Sequence, residues 1–308
     1  MLGMVTDVGG LGDHAFNDSA YAGLLRTHSA LGINVNVLQS HSAADYQPNL
    51  TALVDLHCQT IVGVGFLMGL DLDLVAKEFP RQQFAIIDGD VSDPNVVSIT
   101  FREQDGSFLA GALAAMVSKT RHIGFIGGLD IPLITKFEAG YVAGARQVDP
   151  SIKVDVAYAG SFDDVAAGES RANALFGGGA DIVYVAAGKA GLGAIDAVKT
   201  RSGDYVIGVD SDQDALAPGK VLTSMLKKVD VAVFEVGQAL LQRRHLNGHM
   251  ELGLGDGAIA LTDFRYTKAV IGSANLTKLA SLERAIVAGR IKPPSTRVAL
   301  ASFVPVTL

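Results

Sequence analysis

Cysteine is nearly absent: Cys58 is the only one in 308 residues, which excludes an internal disulfide and any cysteine-rich zinc site. It leaves the redox compartment open, because exported proteins need not carry disulfides. Its apolar setting, TALVDLHCQTIVGVG, fits a buried, inert thiol. Blocks of Lys or Arg are also missing, and the net charge is -7, so the clustered basic surface that draws affinity from nucleic-acid phosphates is not there. Long apolar runs are missing too. The best of them, TIVGVGFLMGL, is broken by glycines and stops short of the roughly 18 residues a membrane helix needs.

Several chemical signatures fail on inspection. In GVDSDQDALAPGKV, Asp210, Asp212 and Asp214 have calcium-loop spacing, but Ala215 stands where the turn glycine belongs and Val221 where the bidentate glutamate belongs. Gly219 and Lys220 lack the earlier glycine of a phosphate loop, and Val221 replaces its Ser or Thr. The turn Gly188 to Gly193 reads GxxGxG, without the acidic residue a dinucleotide site requires on the next strand. His245 and His249 are four apart, but Asn247 and Gly248 between them end the helix that would align them for a metal, so both read as solvated helix-end residues. With no GxSxG turn and no histidine in a general-base motif, nothing demands an enzyme, a cofactor or a metal.

What is present is a large apolar fraction, 49% hydrophobic residues with positive mean hydropathy, enough for two ordinary domains. Strand-like runs LGMVTDV, INVNVLQ, TIVGVG, FAIID and VVSITF alternate with helix-like runs over Asn17 to Leu31, Tyr46 to His57 and Leu70 to Phe79. The rhythm restarts with HIGFIGG, VDVAYAG, DIVYVAAG and YVIGVD, after a helix over Gln104 to Ser118 whose Leu109, Leu113, Met116 and Val117 form a core stripe. Such βα repetition predicts α/β architecture with two parallel sheets. A third segment, from VLTSMLKK through a helix over Asp230 to Leu246, a Gly-rich connection and a last helix near Leu279 to Ala288, crosses between the halves. The expected lobes are 1–104 with about 229–270, and 105–228 with about 271–308, joined by a multi-crossover hinge.

Five segments at strand ends carry polar and aromatic residues suited to a small molecule. They hold Asp7 with Phe16 and Asn17, Asp88, Phe162, Asp210, and Lys227. The glycines of VTDVGGLGDHAFND let the first loop fold closely around a ligand. Two phenylalanines can grip a planar ring, carboxylates accept from a sugar diol, and a lysine donates to the same oxygens. Structural alternatives stand beside each: helix capping for the aspartates and Asn17, ordinary core for Phe162, a surface hinge position for Lys227.

At these residues the chain resembles the basic membrane protein family, ABC-transporter substrate-binding proteins that include the purine nucleoside receptor lipoproteins. The landmarks are VTDVGGLGDHAFND, ITFREQDGSFLAGALAA, IGFIGGLDIPLITKFEAGYVAGA, YAGSFDD, DIVYVAAGKAGLGAI and IGVDSDQDALAPGKVLTSMLKKVDVAV, in order from Leu2 to the last helix. The resemblance implies a type I periplasmic-binding-protein fold with two Rossmann-like lobes. It also implies a purine nucleoside (guanosine, inosine or adenosine) held between Phe16 and Phe162, with contacts from Asp7, Asn17, Asp88, Gly188, Asp210 and Lys227, the last pair near the ribose. Gly12 and His14 stand where relatives commonly have an acidic and a basic residue, and Lys189 replaces a usual glycine. Three carboxylates would repel a phosphate, favouring a neutral nucleoside, and a carboxylate facing the base would favour guanosine and inosine over adenosine. The implied partner is an ABC permease, with the protein periplasmic or cell-surface and held by a lipid anchor absent from this chain. Strand-like residues begin by Leu2, so no leader fits ahead of them here, which also permits a cytosolic sensor of the same fold; a sugar receptor is the further alternative.

Overall fold

A computed structural model describes residues 1–307. The chain opens with β1 (Leu2–Val5), α1 (Phe16–Leu31), β2 (Val35–Leu38), α2 (Tyr46–Asp55), β3 (Thr60–Val64), α3 (Gly69–Glu78), β4 (Gln83–Ile87) and β5 (Val96–Phe101). It continues with α4 (Glu103–Val117), β6 (His122–Gly127), α5 (Pro132–Val148), β7 (Lys153–Tyr158), α6 (Val165–Gly177), β8 (Ile182–Ala186), α7 (Gly191–Lys199), β9 (Tyr205–Asp210) and β10 (Val221–Lys227). Last come α8 (Val229–Leu241), β11 (Gly248–Leu252), β12 (Ile259–Leu261), α9 (Lys268–Ile271), α10 (Ser273–Val287) and α11 (Arg297–Ala301). Local signals set many of these bounds. Gly32 closes α1 in the left-handed region at φ 68°, its N–H donating to the His28 carbonyl, and a proline opens α5 where no N–H is needed.

The chain divides into two compact units, Met1–Phe101 with Lys228–Leu252, and Arg102–Lys227 with Gly253–Leu308. The first holds a sheet of order β11-β5-β4-β3-β1-β2 and the second one of order β12-β10-β9-β8-β6-β7. Setting the outermost β11 and β12 aside, the two orders are the same, as the repeating sequence rhythm implies. All ladders are parallel except β10 with β12. Strands β1, β3 and β8 are buried along their whole length, as apolar strands in a sheet covered on both faces must be. Cys58 lies in the core of the first unit with Leu50, Leu53 and Ile61, consistent with an inert thiol.

Three expectations need correction. The helix expected over Asp230 to Leu246 stops at Leu241, since Arg243 adopts φ 53° and Gly248 φ 75°, and the Gly-rich connection contains β11, parallel to β5. His249 therefore sits on a strand, its Nε2 2.6 Å from Thr100 Oγ1, and is no helix-end residue. The stretch 253–270, expected with the first lobe, carries β12, whose ladder to β10 places it in the second unit; Arg102 to Gln104 likewise begin that unit.

Helices α4 and α5 pack at backbone distance. A methyl on Gly111 would lie 1.9 Å from the Tyr141 carbonyl oxygen, and one on Gly144 1.9 Å from that of Phe108. The close contact explains why α4 is buried around its whole circumference from Glu103 to Ala114, including Leu109 and Leu113 of the expected stripe. Gly144→Ala should destabilise the protein by about 2–3 kcal/mol or more, because backbone must move to admit the methyl. Gly177→Ala, where a methyl meets nothing within 4 Å, should gain about 0.5 kcal/mol from helix propensity. Urea unfolding of the two variants checks the contrast.

Candidate functional site

In a sheet of this order the strand sequence reverses between β1 and β3, and again between β6 and β8, and the carboxyl ends of those strands are where α/β proteins place ligands. In the first unit the reversal brings Asp7, just past β1, against Gly65, just past β3. A methyl on Gly65 would lie 2.8 Å from Asp7 Oδ2, and Gly65 has φ 114°, so only glycine suits the position.

Asp7 is buried and does not cap α1. Its Oδ1 accepts from the Gly9 N–H at 2.9 Å and from Asn17 Nδ2 at 2.8 Å. Capping falls to Asp13, which the sequence reading passed over. Asp13 accepts from the backbone N–H groups of Ala15, Asn17 and Asp18 at 2.9, 2.8 and 3.1 Å. Its position two residues ahead of the α1 N-cap, Ala15, was the available signal. Asn17 is thus freed from the capping alternative. Its Nδ2 is taken by Asp7 and, at 3.3 Å, by Asp13 Oδ2, while its buried Oδ1 has no partner among the described residues. Turning the amide over would set Oδ1 against two carboxylates, so Asn17 is held as an acceptor.

Burial pushes the Asp7 carboxyl up to about 6, against the lowering effect of Asn17 and Gly9, with the charges of Asp13 and Asp88 adding to the rise. Asp88 lies just past β4 at φ 65°, also buried. Phe16, the first residue of α1, is half-buried. The first unit therefore gathers an aromatic face, two buried carboxylates and an amide oxygen, acceptors that match a ligand edge rich in N–H or O–H donors.

In the second unit Phe162 follows β7 and is half-buried, so the ordinary-core alternative does not describe it. Its ring lies over Gly128, just past β6, where a methyl would come within 2.3 Å of the ring. Its carbonyl accepts from the Ala190 N–H at 3.0 Å, and Gly188, past β8 at φ 54°, lies against its backbone. Asp210 ends β9 at φ 65°, the same backbone conformation and sheet position that Asp88 holds at β4. The other two carboxylates of the acidic run do local work: Asp214 accepts from the hydroxyls of Ser224 and Thr262 at 2.8 and 2.7 Å, and Asp212 accepts from the Asp214 N–H at 3.0 Å.

Lys227 ends β10 and is only 1% exposed, which overturns the surface alternative. Its Nζ lies 2.9 Å from Glu103 Oε1 and 5.6 Å above the Phe137 ring. Sequence reasoning missed Glu103, Phe137, Gly65 and Gly128 as site residues; the first two and Gly128 stand in the quoted landmark runs, but nothing in their type or spacing points to a ligand. All eight expected residues thus lie at the carboxyl edges of the two sheets, four in each unit.

No helix among the described residues is long and apolar enough to cross a membrane. The family model for ABC transporter substrate-binding proteins, PnrA-like, matches residues 1–297. The ABC transporter nucleoside-binding protein BmpA of Lactococcus lactis subsp. cremoris is 36% identical over 84% of this chain and 83% of that protein. Basic membrane protein A of Borreliella burgdorferi is 36% identical over 88% and 78%, and the CD4+ T-cell-stimulating antigen of Listeria monocytogenes 35% over 95% and 87%. Among solved structures, an ABC transporter system solute-binding protein from Aeropyrum pernix K1 superposes with a TM-score of 0.88 at 27% identity, covering 98% of this chain and 95% of that one. The arabinose-binding protein AraP of Geobacillus stearothermophilus, at 13% identity and a TM-score of 0.65 over 87% and 97% of the two chains, shares the fold alone. The expected type I periplasmic-binding-protein fold is the fold observed, and the chain belongs to the Bmp family of PnrA-like ABC transporter substrate-binding proteins.

Proposed function

We propose that this protein is a non-enzymatic receptor that binds a purine nucleoside with residues of both units and hands it to an ABC permease, working outside the cytoplasm on a lipid anchor. The observation that carries this reading is the placement of Phe16 and Phe162. Each is a half-buried aromatic beside a strand-order reversal, with Asp7 and Asp88 at strand ends of the first sheet and Asp210 at a strand end of the second. The nucleoside-binding name of the Lactococcus relative supports the ligand class. In this reading the phenylalanines take the two faces of the base. Asp7, Asn17 and Asp88 accept from its donors, while Gly188, Asp210 and Lys227 serve the sugar. Binding of both units to one ligand favours the closed arrangement, and a permease that recognises only that arrangement responds only to loaded receptor.

The acceptors Asp7, Asn17 Oδ1 and Asp88 favour bases with an N1–H, so guanosine and inosine should bind at least tenfold more tightly than adenosine in calorimetry; equal affinities would sink the ranking. Native mass spectrometry of the purified protein should show a retained nucleoside, and free ribose should compete poorly. Phe16→Ala and Asp210→Ala should each weaken inosine binding, the former by about 1–3 kcal/mol, the range for base stacking, with little change in melting temperature. Retained affinity in both variants would refute the site.

Asp7 makes a pH-dependent prediction. The folded carboxyl keeps its proton to about pH 6 while an unfolded one loses it near 3.8, so between those values the folded protein binds more protons than the unfolded chain. Its contribution to stability therefore falls as pH rises through that window, and above it the buried charge costs about 3 kcal/mol. A donor from the ligand would stabilise the ionised form. Binding should then release a proton near pH 5.5 and weaken on further acidification, as calorimetry in buffers of different ionisation enthalpy would report. Asp7→Asn should raise the melting temperature of the unliganded protein at pH 7, weaken nucleoside binding and abolish the proton release.

A further inference from the structure

Lys227 is the last residue of β10, and the chain leaves the second unit immediately after it; Glu103 is the first residue of α4, one residue after the chain enters that unit. These two side chains form an ion pair at 2.9 Å, with side-chain exposures of 2% and 0%. The other Glu103 oxygen, Oε2, accepts from Lys136 Nζ at 3.2 Å, and the Phe137 ring lies beneath the Lys227 ammonium. A buried pair of this kind is a poor source of stability, since apolar residues of the same shape would do as well or better. What the pair supplies is a fixed charge. The α4 N-terminus favours the Glu103 carboxylate there, and the carboxylate holds the Lys227 ammonium in one direction at the β10 end. Lys136, 24% exposed at its side chain, holds the opposite oxygen, so that the trio carries one net positive charge.

We infer that Glu103 is a positioning residue that orients the Lys227 ammonium toward the diol of the bound nucleoside. The inference rests on the proposed nucleoside reading, which assigns Lys227 to the sugar, and it adds a residue that touches no ligand. An ammonium clamped by a carboxylate on one side and an aromatic face on another loses little freedom when a hydroxyl pair arrives, so its hydrogen bonds cost less to form.

The test compares inosine with 2′,3′-dideoxyinosine, which keeps the base and sugar ring and lacks the diol, by calorimetry and competition on wild type, Lys227→Met, Glu103→Gln and the double variant. Lys227→Met should weaken inosine tenfold or more and leave dideoxyinosine within twofold. Glu103→Gln should weaken inosine by about tenfold, spare dideoxyinosine, and add less than twofold in the Lys227→Met background. Equal loss on both ligands, or a full Glu103 effect without Lys227, would overturn the positioning role and leave a structural one. If Lys227→Met leaves inosine binding intact, the sugar assignment itself falls; if Lys227→Met weakens it and Glu103→Gln does not, only the positioning role falls. Should Glu103→Gln not fold, Glu103→Asp, which keeps the charge but withdraws it by one methylene, replaces it with the same expected split between ligands.

Discussion

The reversal of strand order is the constraint on which the remaining features depend. Where a parallel sheet grows first one way from its founding strand and then the other, successive crossover helices leave on opposite faces, and two neighbouring strand ends part without a helix over them. Each sheet here has one such place, and it is there that the chain spends its glycines. Gly65 yields to Asp7 and Gly128 yields to the Phe162 ring. A side chain at either position would displace Asp7 or the Phe162 ring.

Charge is arranged against stability at the same edges. Asp7 stands buried near Asp13 and Asp88, and the raised affinity of its carboxyl for a proton measures what that placement costs. Lys227 and Glu103 are buried as a pair at the corresponding edge of the second sheet. The first arrangement makes the ionised Asp7 carboxylate costly. The second fixes a positive charge in place. In the proposed reading a neutral, hydroxyl-rich ligand answers both, whereas a phosphate would be repelled by the first.

Much of the fold was legible because the βα rhythm is regular and several of its strands are apolar along their whole length. Strands such as TIVGV in β3 and IVYVA in β8 need no partner to be recognised. β11 was missed for the opposite reason: GHMEL is polar and largely exposed, and only its ladder to the distant β5 makes it a strand. The same holds for Ile259–Leu261, whose assignment depends on which sheet edge it reaches. At the candidate site, motif residues such as Phe16, Asn17 and Asp210 stood out by type and position. Glu103 and Phe137 did not, because a residue that works by touching another across the fold leaves no mark at its own place in the chain.

The unit boundaries also set an order of synthesis. Helix α1 packs against α8 so closely that a methyl on Gly23 would lie 2.4 Å from the Asp230 carbonyl oxygen, yet the ribosome makes these residues on either side of the longer segment of the second unit, Arg102–Lys227. Until residue 252 has emerged, the first sheet lacks its β11 edge and α1 lacks the helix that covers it. A growing chain of this design keeps its amino-terminal unit incomplete until late.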